Sequence, residues 1–228
     1  MGWILNYLVK MLTGEMTGFT ATQYTENFAK MLDSPMTLLI FTLICTIIIG
    51  VISAKNLNDG LEKACKFMMP ALFIMLIAVV IRSITLPNAM EGVKWYMNVD
   101  FSKINAESIL AALGQCFFSV GIASGGAFVY GSYLNKDSDI PTDGLMVIGF
   151  DTLAALIAGF AIFPAVFALG LQPDSGSNLL FVTMSNVFMN LPFGRFFGVL
   201  FFLLMFFAAL SSALGYLEPV SSSFTELL

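Results

Sequence analysis

The chain has 228 residues, 58% hydrophobic and 11% charged, with Lys+Arg 10, Asp+Glu 15 and a formal net charge of -5. A soluble domain carries about 25% charged residues, so this composition is built for lipid. No basic cluster exists to neutralise phosphates, which argues against nucleic acid as a partner. With no histidine at all, histidine-held metals and Ser-His or Cys-His catalysis are excluded.

Residues 1–13 are apolar but too short to span, about 20 Å if helical. They read as the last part of a helix whose beginning is missing. Met1 runs directly into GWILNYLVKML, with neither a basic leader nor a small-residue cleavage site, so no signal peptide is visible. Residues 14–35 form a polar connection that closes on Asp33-Ser34-Pro35, a helix-start signal. An uncharged apolar run, 36–54, is the first complete span. The loop 55–66 sets three lysines against Asp59 and Glu62 and is placed on the cytoplasmic side by the lysine/arginine bias.

The second span is 67–87, with Arg82 near one end and expected to snorkel toward headgroups. Residues 88–105 carry Trp95-Tyr96 as interfacial aromatics. Residues 106–134 are the third span and 135–143 a polar turn, cytoplasmic by alternation. The fourth span, 144–170, contains Asp151. Within the connection 171–194, the apolar stretch 179–191 is expected to form a re-entrant or capping helix. The fifth span is 195–217, after which the chain runs only to Leu228. Cys45, Cys65 and Cys116 have neither paired nor metal-like spacing. Five spans plus a partial helix, with no short repeat, read as one fragment of a transmembrane domain.

The third span is not a good continuous helix. Ser119-Val120-Gly121-Ile122-Ala123-Ser124-Gly125-Gly126 holds three glycines and two serines. Each glycine costs roughly 1 kcal/mol relative to alanine. In lipid, an opened backbone is tolerable only where its N–H and C=O groups find a ligand, water or protein partner. The stretch therefore reads as the rim of a binding site, against the alternative of close helix packing by small residues.

Asp151 stands beside it as a second signal. A carboxylate in a span costs about 2.5–3.5 kcal/mol on insertion scales. It faces a cation, or else sits near the interface seven positions after Gly144, and the sequence leaves both open. Ser211 and Ser212 either bond back to carbonyls one turn earlier or join an oxygen site. Gln115 and Ser119 share one face. Carboxylate, hydroxyls and opened carbonyls are hard oxygen ligands of the kind Na+ takes. A half-helix start offers N–H groups to a carboxylate-bearing solute.

These residues resemble a known family, the neurotransmitter:sodium symporters, in particular bacterial amino-acid members with the leucine-transporter-type fold. The resemblance lies in Gly114-Gln115-Cys116-Phe117-Phe118-Ser119, Tyr130-Gly131-Ser132-Tyr133-Leu134, Lys136-Asp137-Ser138-Asp139-Ile140 and Phe206-Phe207-Ala208-Ala209-Leu210-Ser211-Ser212. It implies an all-α membrane protein, a fragment of that inverted-repeat fold running from late in the third helix through the eighth, with a discontinuous helix at 106–134. It also implies the lipid bilayer of a bacterial inner membrane as the setting.

Carried over from that family, Ser119 and Asp151 fall at the sodium beside the substrate, and Ala208, Ser211 and Ser212 at a second sodium. Phe118, Ser119, Gly121, Ser124, Ser212 and Tyr216 fall at the substrate pocket, and Tyr133, Glu218 and Glu226 at the cytoplasmic gate. The family commonly has asparagine where Asp151 stands, and the place of its chloride-substituting glutamate is Ala155 here, which implies chloride-independent coupling. An aliphatic residue is common where Tyr216 stands; Tyr216 and the phenylalanines hint at a sizeable apolar or aromatic amino acid. The first-helix signature and a third-helix tyrosine have no counterpart, so each of the two Na+ sites is only partly supplied and the partners include the missing helices. The implied function is sodium-coupled symport of an amino acid or related zwitterionic solute by alternating access, with no enzymatic chemistry. The rival is a non-transporting membrane scaffold or decayed carrier fragment. An intramembrane enzyme is remote, since it lacks a nucleophile–base pair or a metal dyad.

Overall fold

The structure, a computed structural model, describes residues 1–55, 58–121, 126–171 and 176–227, and among these every regular element is helical. The α-helices in order are α1 Gly2–Thr13, α2 Ala21–Leu32, α3 Pro35–Ser53, α4 Lys63–Ile84, α5 Ala89–Met97, α6 Ala106–Ser119, α7 Gly126–Ser132, α8 Ile140–Ala168, α9 Gly176–Asn178, α10 Met184–Met189 and α11 Gly194–Leu227. A π turn, Asn58–Glu62, precedes α4, a second, Leu179–Thr183, joins α9 to α10, and a 3-10 turn, Phe101–Lys103, precedes α6. Four helical stretches are long and apolar enough to cross a bilayer: Pro35–Ser53, Gly60–Ile84, Ile140–Ala168 and Gly194–Ser221. The chain is an integral membrane protein.

Local chemistry explains where the helices begin. Thr20 and Gln23 form a capping box, the Gln23 Oε1 accepting from the Thr20 backbone N–H at 2.7 Å. Tyr24, Phe28 and Met31, spaced by four and three, then bury one face of α2. The connection expected at 14–35 thus contains a helix. Asp139 caps α8, accepting from the Thr142 hydroxyl at 2.5 Å, and Pro141 suits the first turn, so the helix starts before the expected 144. α11 likewise continues through Pro219, well past 217.

An aromatic cluster ties the bundle together. Phe28 of α2 stacks on Phe181 at 5.5 Å, and Tyr7 of α1 meets Phe181 at 5.0 Å and Phe202 of α11 at 5.4 Å. Offset and edge-on ring pairs of this kind add about 0.5–1.5 kcal/mol each beyond their burial. The C-terminus of α1 is closed by Gly14 in the left-handed region, φ 76, and by Arg195 at the start of α11. The Arg195 Nε donates to the Met11 carbonyl at 3.1 Å, and its Nη2 donates to that of Leu12. A smaller cluster of Cys45, Met68, Phe206, Leu210 and Leu214 joins α3, α4 and α11.

The apolar stretch 179–191 is helical through Met189, and Phe181, Met184, Val187 and Phe188 are buried against the core, as a capping segment would be. Two groups expected at the interface also make contacts within the protein. Arg82 reaches back to the protein, donating to the Pro192 carbonyl at 3.4 Å with its guanidinium 5.7 Å over the Phe197 ring. Trp95 and Tyr96 lie on α5 and pack onto α8. Cation–π and main-chain contacts offer these polar tips what headgroups would.

Candidate functional site

The expected break is present. α6 starts on a reciprocal cap, the Ser108 N–H donating to Asn105 Oδ1 at 2.8 Å and the Asn105 N–H to Ser108 Oγ at 2.9 Å. It ends at Ser119, Gly121 takes φ 71, and the next described helix, α7, runs from Gly126. Left-handed backbone costs an L-residue roughly 1–2 kcal/mol and glycine almost nothing, which is why the chain turns at this position. Each helix end leaves up to four backbone groups without intrahelical partners. Ser124 lies outside the described residues.

Asp151 stands inside the 29-residue α8, partly buried, rather than near its end. The Ser119 hydroxyl lies 2.7 Å from both its Oδ1 and its Oδ2. One proton serves two oxygens there, so the carboxylate keeps lone pairs for a cation. In α11, Ser211 Oγ and Ser212 Oγ donate to the Ala208 carbonyl at 2.9 and 3.0 Å. This is the back-bonding usual for helical serines. It also gathers three hard oxygens within one turn. Among the described residues no group of three or more His, Cys, Asp or Glu could hold a metal ion. Single carboxylates with neutral oxygens suit a monovalent hard cation better than zinc.

A cavity of about 470 Å³ opens beside Ser119. Its walls are Ser119, Val120 and Gly121 at the end of α6, Gly126 and Tyr130 of α7, Gly144, Val147 and Ile148 of α8, and Ser212, Gly215 and Tyr216 of α11. Ser119, Gly121, Ser212 and Tyr216 were expected in the pocket. Phe118 is not among the walls and is 69% exposed. Helical periodicity was the signal for the unforeseen walls. Gly144, Val147 and Ile148 precede Asp151 by seven, four and three residues, one face of α8. Gly215 stands in the same relation to Ala208, Ser211 and Ser212.

Below the break, the Tyr133 hydroxyl donates to Glu218 Oε1 at 2.9 Å and the Tyr130 hydroxyl to the Gly215 carbonyl at 3.2 Å, both joining α7 or its end to α11. Glu226 belongs to α11, and its side chain is outside the described residues.

The sequence matches the family described as the Sodium:neurotransmitter symporter family over residues 8–228. The chain belongs to that family. Among similar symporter sequences is the "Uncharacterized sodium-dependent transporter YhdH" of Bacillus subtilis (strain 168), 40% identical over 219 residues, covering 96% of this chain and 49% of the relative. An "Uncharacterized sodium-dependent transporter" of Haemophilus influenzae is 35% identical over 233 residues, covering 100% of this chain and 50% of that protein. A solved symporter structure, MhsT in complex with L-phenylalanine, superposes with a TM-score of 0.85 at 39% identity, over 95% of this chain and 49% of that one. The chain spans about half the length of the relatives it matches. The all-α membrane fold with a helix broken inside 106–134 is thus that of a leucine-transporter-type symporter in part. Within this symporter chain Ser119 meets Asp151, Ala208 meets Ser211 and Ser212, and Tyr133 meets Glu218, while Phe118 stands apart.

Proposed function

We propose that this chain is part of a sodium-coupled symporter that moves an amino acid or related zwitterionic solute by alternating access. The observation that carries this is the Ser119–Asp151 contact at the helix break, opening directly on a cavity. Asp151 and the Ser119 hydroxyl would supply two ligands of one Na+, and the Ala208 carbonyl with Ser211 and Ser212 three ligands of another. The remaining ligands would come from helices that this chain lacks.

The coupling is a matter of binding energy. A carboxylate facing a cavity in the membrane is poorly solvated, and a cation beside it removes most of that cost. Solute and ion then stabilise one another's occupancy, so closure occurs with both aboard or with neither. Tyr133, Glu218 and Glu226 would form the inner gate, Tyr133 and Glu218 latching α7 to α11. Gly121 and Gly126 leave room at the break, Ser124 would join them in the pocket, and Tyr216 would offer a ring to an apolar or aromatic side chain. That MhsT is solved with L-phenylalanine supports this substrate class. Relatives from Bacillus subtilis and Haemophilus influenzae support the inner membrane of a bacterium as the location.

The test uses the protein carrying this sequence at the full length of its relatives, in proteoliposomes with labelled L-phenylalanine. Uptake is expected with an inward Na+ gradient, absent when choline replaces Na+, and abolished by Asp151→Ala. Uptake no greater than that of protein-free liposomes in either salt would favour the scaffold reading, and equal uptake above that level in choline would point to another driving ion.

A further inference from the structure

The short helix α5 grips α8 beyond Asp151. A Cβ at Gly92 of α5 would stand 2.6 Å from the Phe163 carbonyl oxygen and 2.7 Å from the Pro164 Cα, so the two backbones touch there. A Cβ at Gly159 of α8 would collide with the Tyr96 phenol ring, which fills that notch. Tyr96 stacks on Phe163 at 5.1 Å, meets Phe160 edge-on at 5.2 Å, and its hydroxyl donates to the Leu156 carbonyl at 3.3 Å. Trp95 extends the contact to Phe163 at 4.9 Å and Phe167 at 5.5 Å.

These contacts fall on both sides of a weak joint. Pro164 inside α8 has no N–H, so the Phe160 carbonyl loses its ladder donor. Helices bend at such points. α5 holds Leu156, Gly159, Phe160 and Phe163 before it, Pro164 itself, and Phe167 beyond it, as a splint does.

The same helix controls the other partner of the cation pair. From Met97 the chain passes through the 3-10 turn to the Asn105–Ser108 cap and straight into α6, which ends at Ser119. None of the residues of α6 is buried, so within this chain that helix is fixed by the Ser119–Asp151 contact at one end and by its connection to α5 at the other. Gly159 lies about 12 Å along the axis from Asp151, and a tilt of about 5° there moves the carboxylate by about 1 Å. Ligand sets work only when held to about 0.5 Å.

We propose that α5 is a yoke that sets the separation of Ser119 and Asp151, with Tyr96 and Gly159 as positioning residues for cation binding. The proposal rests on reading that pair as a cation site. The test uses the purified full-length protein with Na+ alone as probe, NaCl titrated against choline chloride, and reads the midpoint of the Na+-dependent rise in melting temperature. Gly159→Ala is expected to raise that midpoint about tenfold. Tyr96→Phe, which loses one hydrogen bond, is expected to raise it about threefold. Adding Tyr96→Leu to Gly159→Ala reopens the notch and brings the midpoint back to within about threefold of the unaltered protein.

A merely structural contact would lower the melting temperature in choline and leave the midpoint in place. Midpoints within about twofold of the unaltered protein for both single variants, beside a large shift in Asp151→Ala, would overturn the yoke and leave the cation site standing. An unshifted Asp151→Ala would overturn the site and the yoke with it. Should Gly159→Ala fail to fold, Tyr96→Phe decides alone.

Discussion

Ser119 and Asp151 are 32 positions apart in the chain, yet the hydroxyl lies 2.7 Å from both carboxylate oxygens. One residue closes the first half of a broken helix and the other sits inside its neighbour. The contact therefore exists only while both helices keep their places.

Removing the hydroxyl tests the pair directly. A hydrogen bond to a charged group contributes about 1.5–3 kcal/mol net, and a cation site that loses one ligand loses a similar amount. Ser119→Ala is expected to raise the Na+ concentration for half-maximal uptake by about tenfold or more, with Ser119→Thr close to the unaltered protein. A Na+ dependence unchanged in Ser119→Ala would place the ion elsewhere.

Ser211→Ala and Ser212→Ala each remove a donor from the Ala208 carbonyl. As back-bonded serines alone they would matter little to stability, since such bonds are near neutral in helices. As ion ligands they matter in Na+ dependence and not in melting temperature without Na+. Measuring both quantities on each variant separates the two roles, and a loss confined to stability would remove α11 from the ion account.

Tyr133→Phe breaks the latch to Glu218. The expected outcome is a shift of about threefold toward the inward-open form, seen as faster thiol labelling of Ser212→Cys from the cytoplasmic side. Glu218→Gln keeps an acceptor and should shift it less. Identical labelling in the two backgrounds would show that this bond latches nothing.

On the proposed function, Asp151 would bring a carboxylate to the ion where the family commonly has asparagine. Uptake is expected to persist when gluconate replaces chloride, within about twofold, since the carboxylate already balances the cation. An absolute chloride requirement would contradict this.

The parts legible in the sequence were those with local causes. Glycine and serine at 119–126 announced the broken helix, because backbone propensity acts where the residue stands. Asp151 stood out because a charge in a span needs a partner, although the four extra residues at the start of α8 decided that it lies well inside the helix. What stayed hidden depended on distant neighbours. Trp95-Tyr96 carries an interfacial composition, and only the notch at Gly159, 63 positions on, turns it into a contact with α8. α2 was passed over because its polar face dominates its composition, although its capping box and buried Tyr24, Phe28 and Met31 were there to be read.

Arg195 reaches back 184 positions to hold the Met11 carbonyl. A ribosome adding ~5–20 residues per second needs roughly 10–40 s to cover that distance. Throughout that interval the last carbonyls of α1 have no guanidinium to receive them. The C-terminal end of α1 is therefore completed late, after α3 has already packed against that helix and Gly14 has closed on the Lys10 carbonyl.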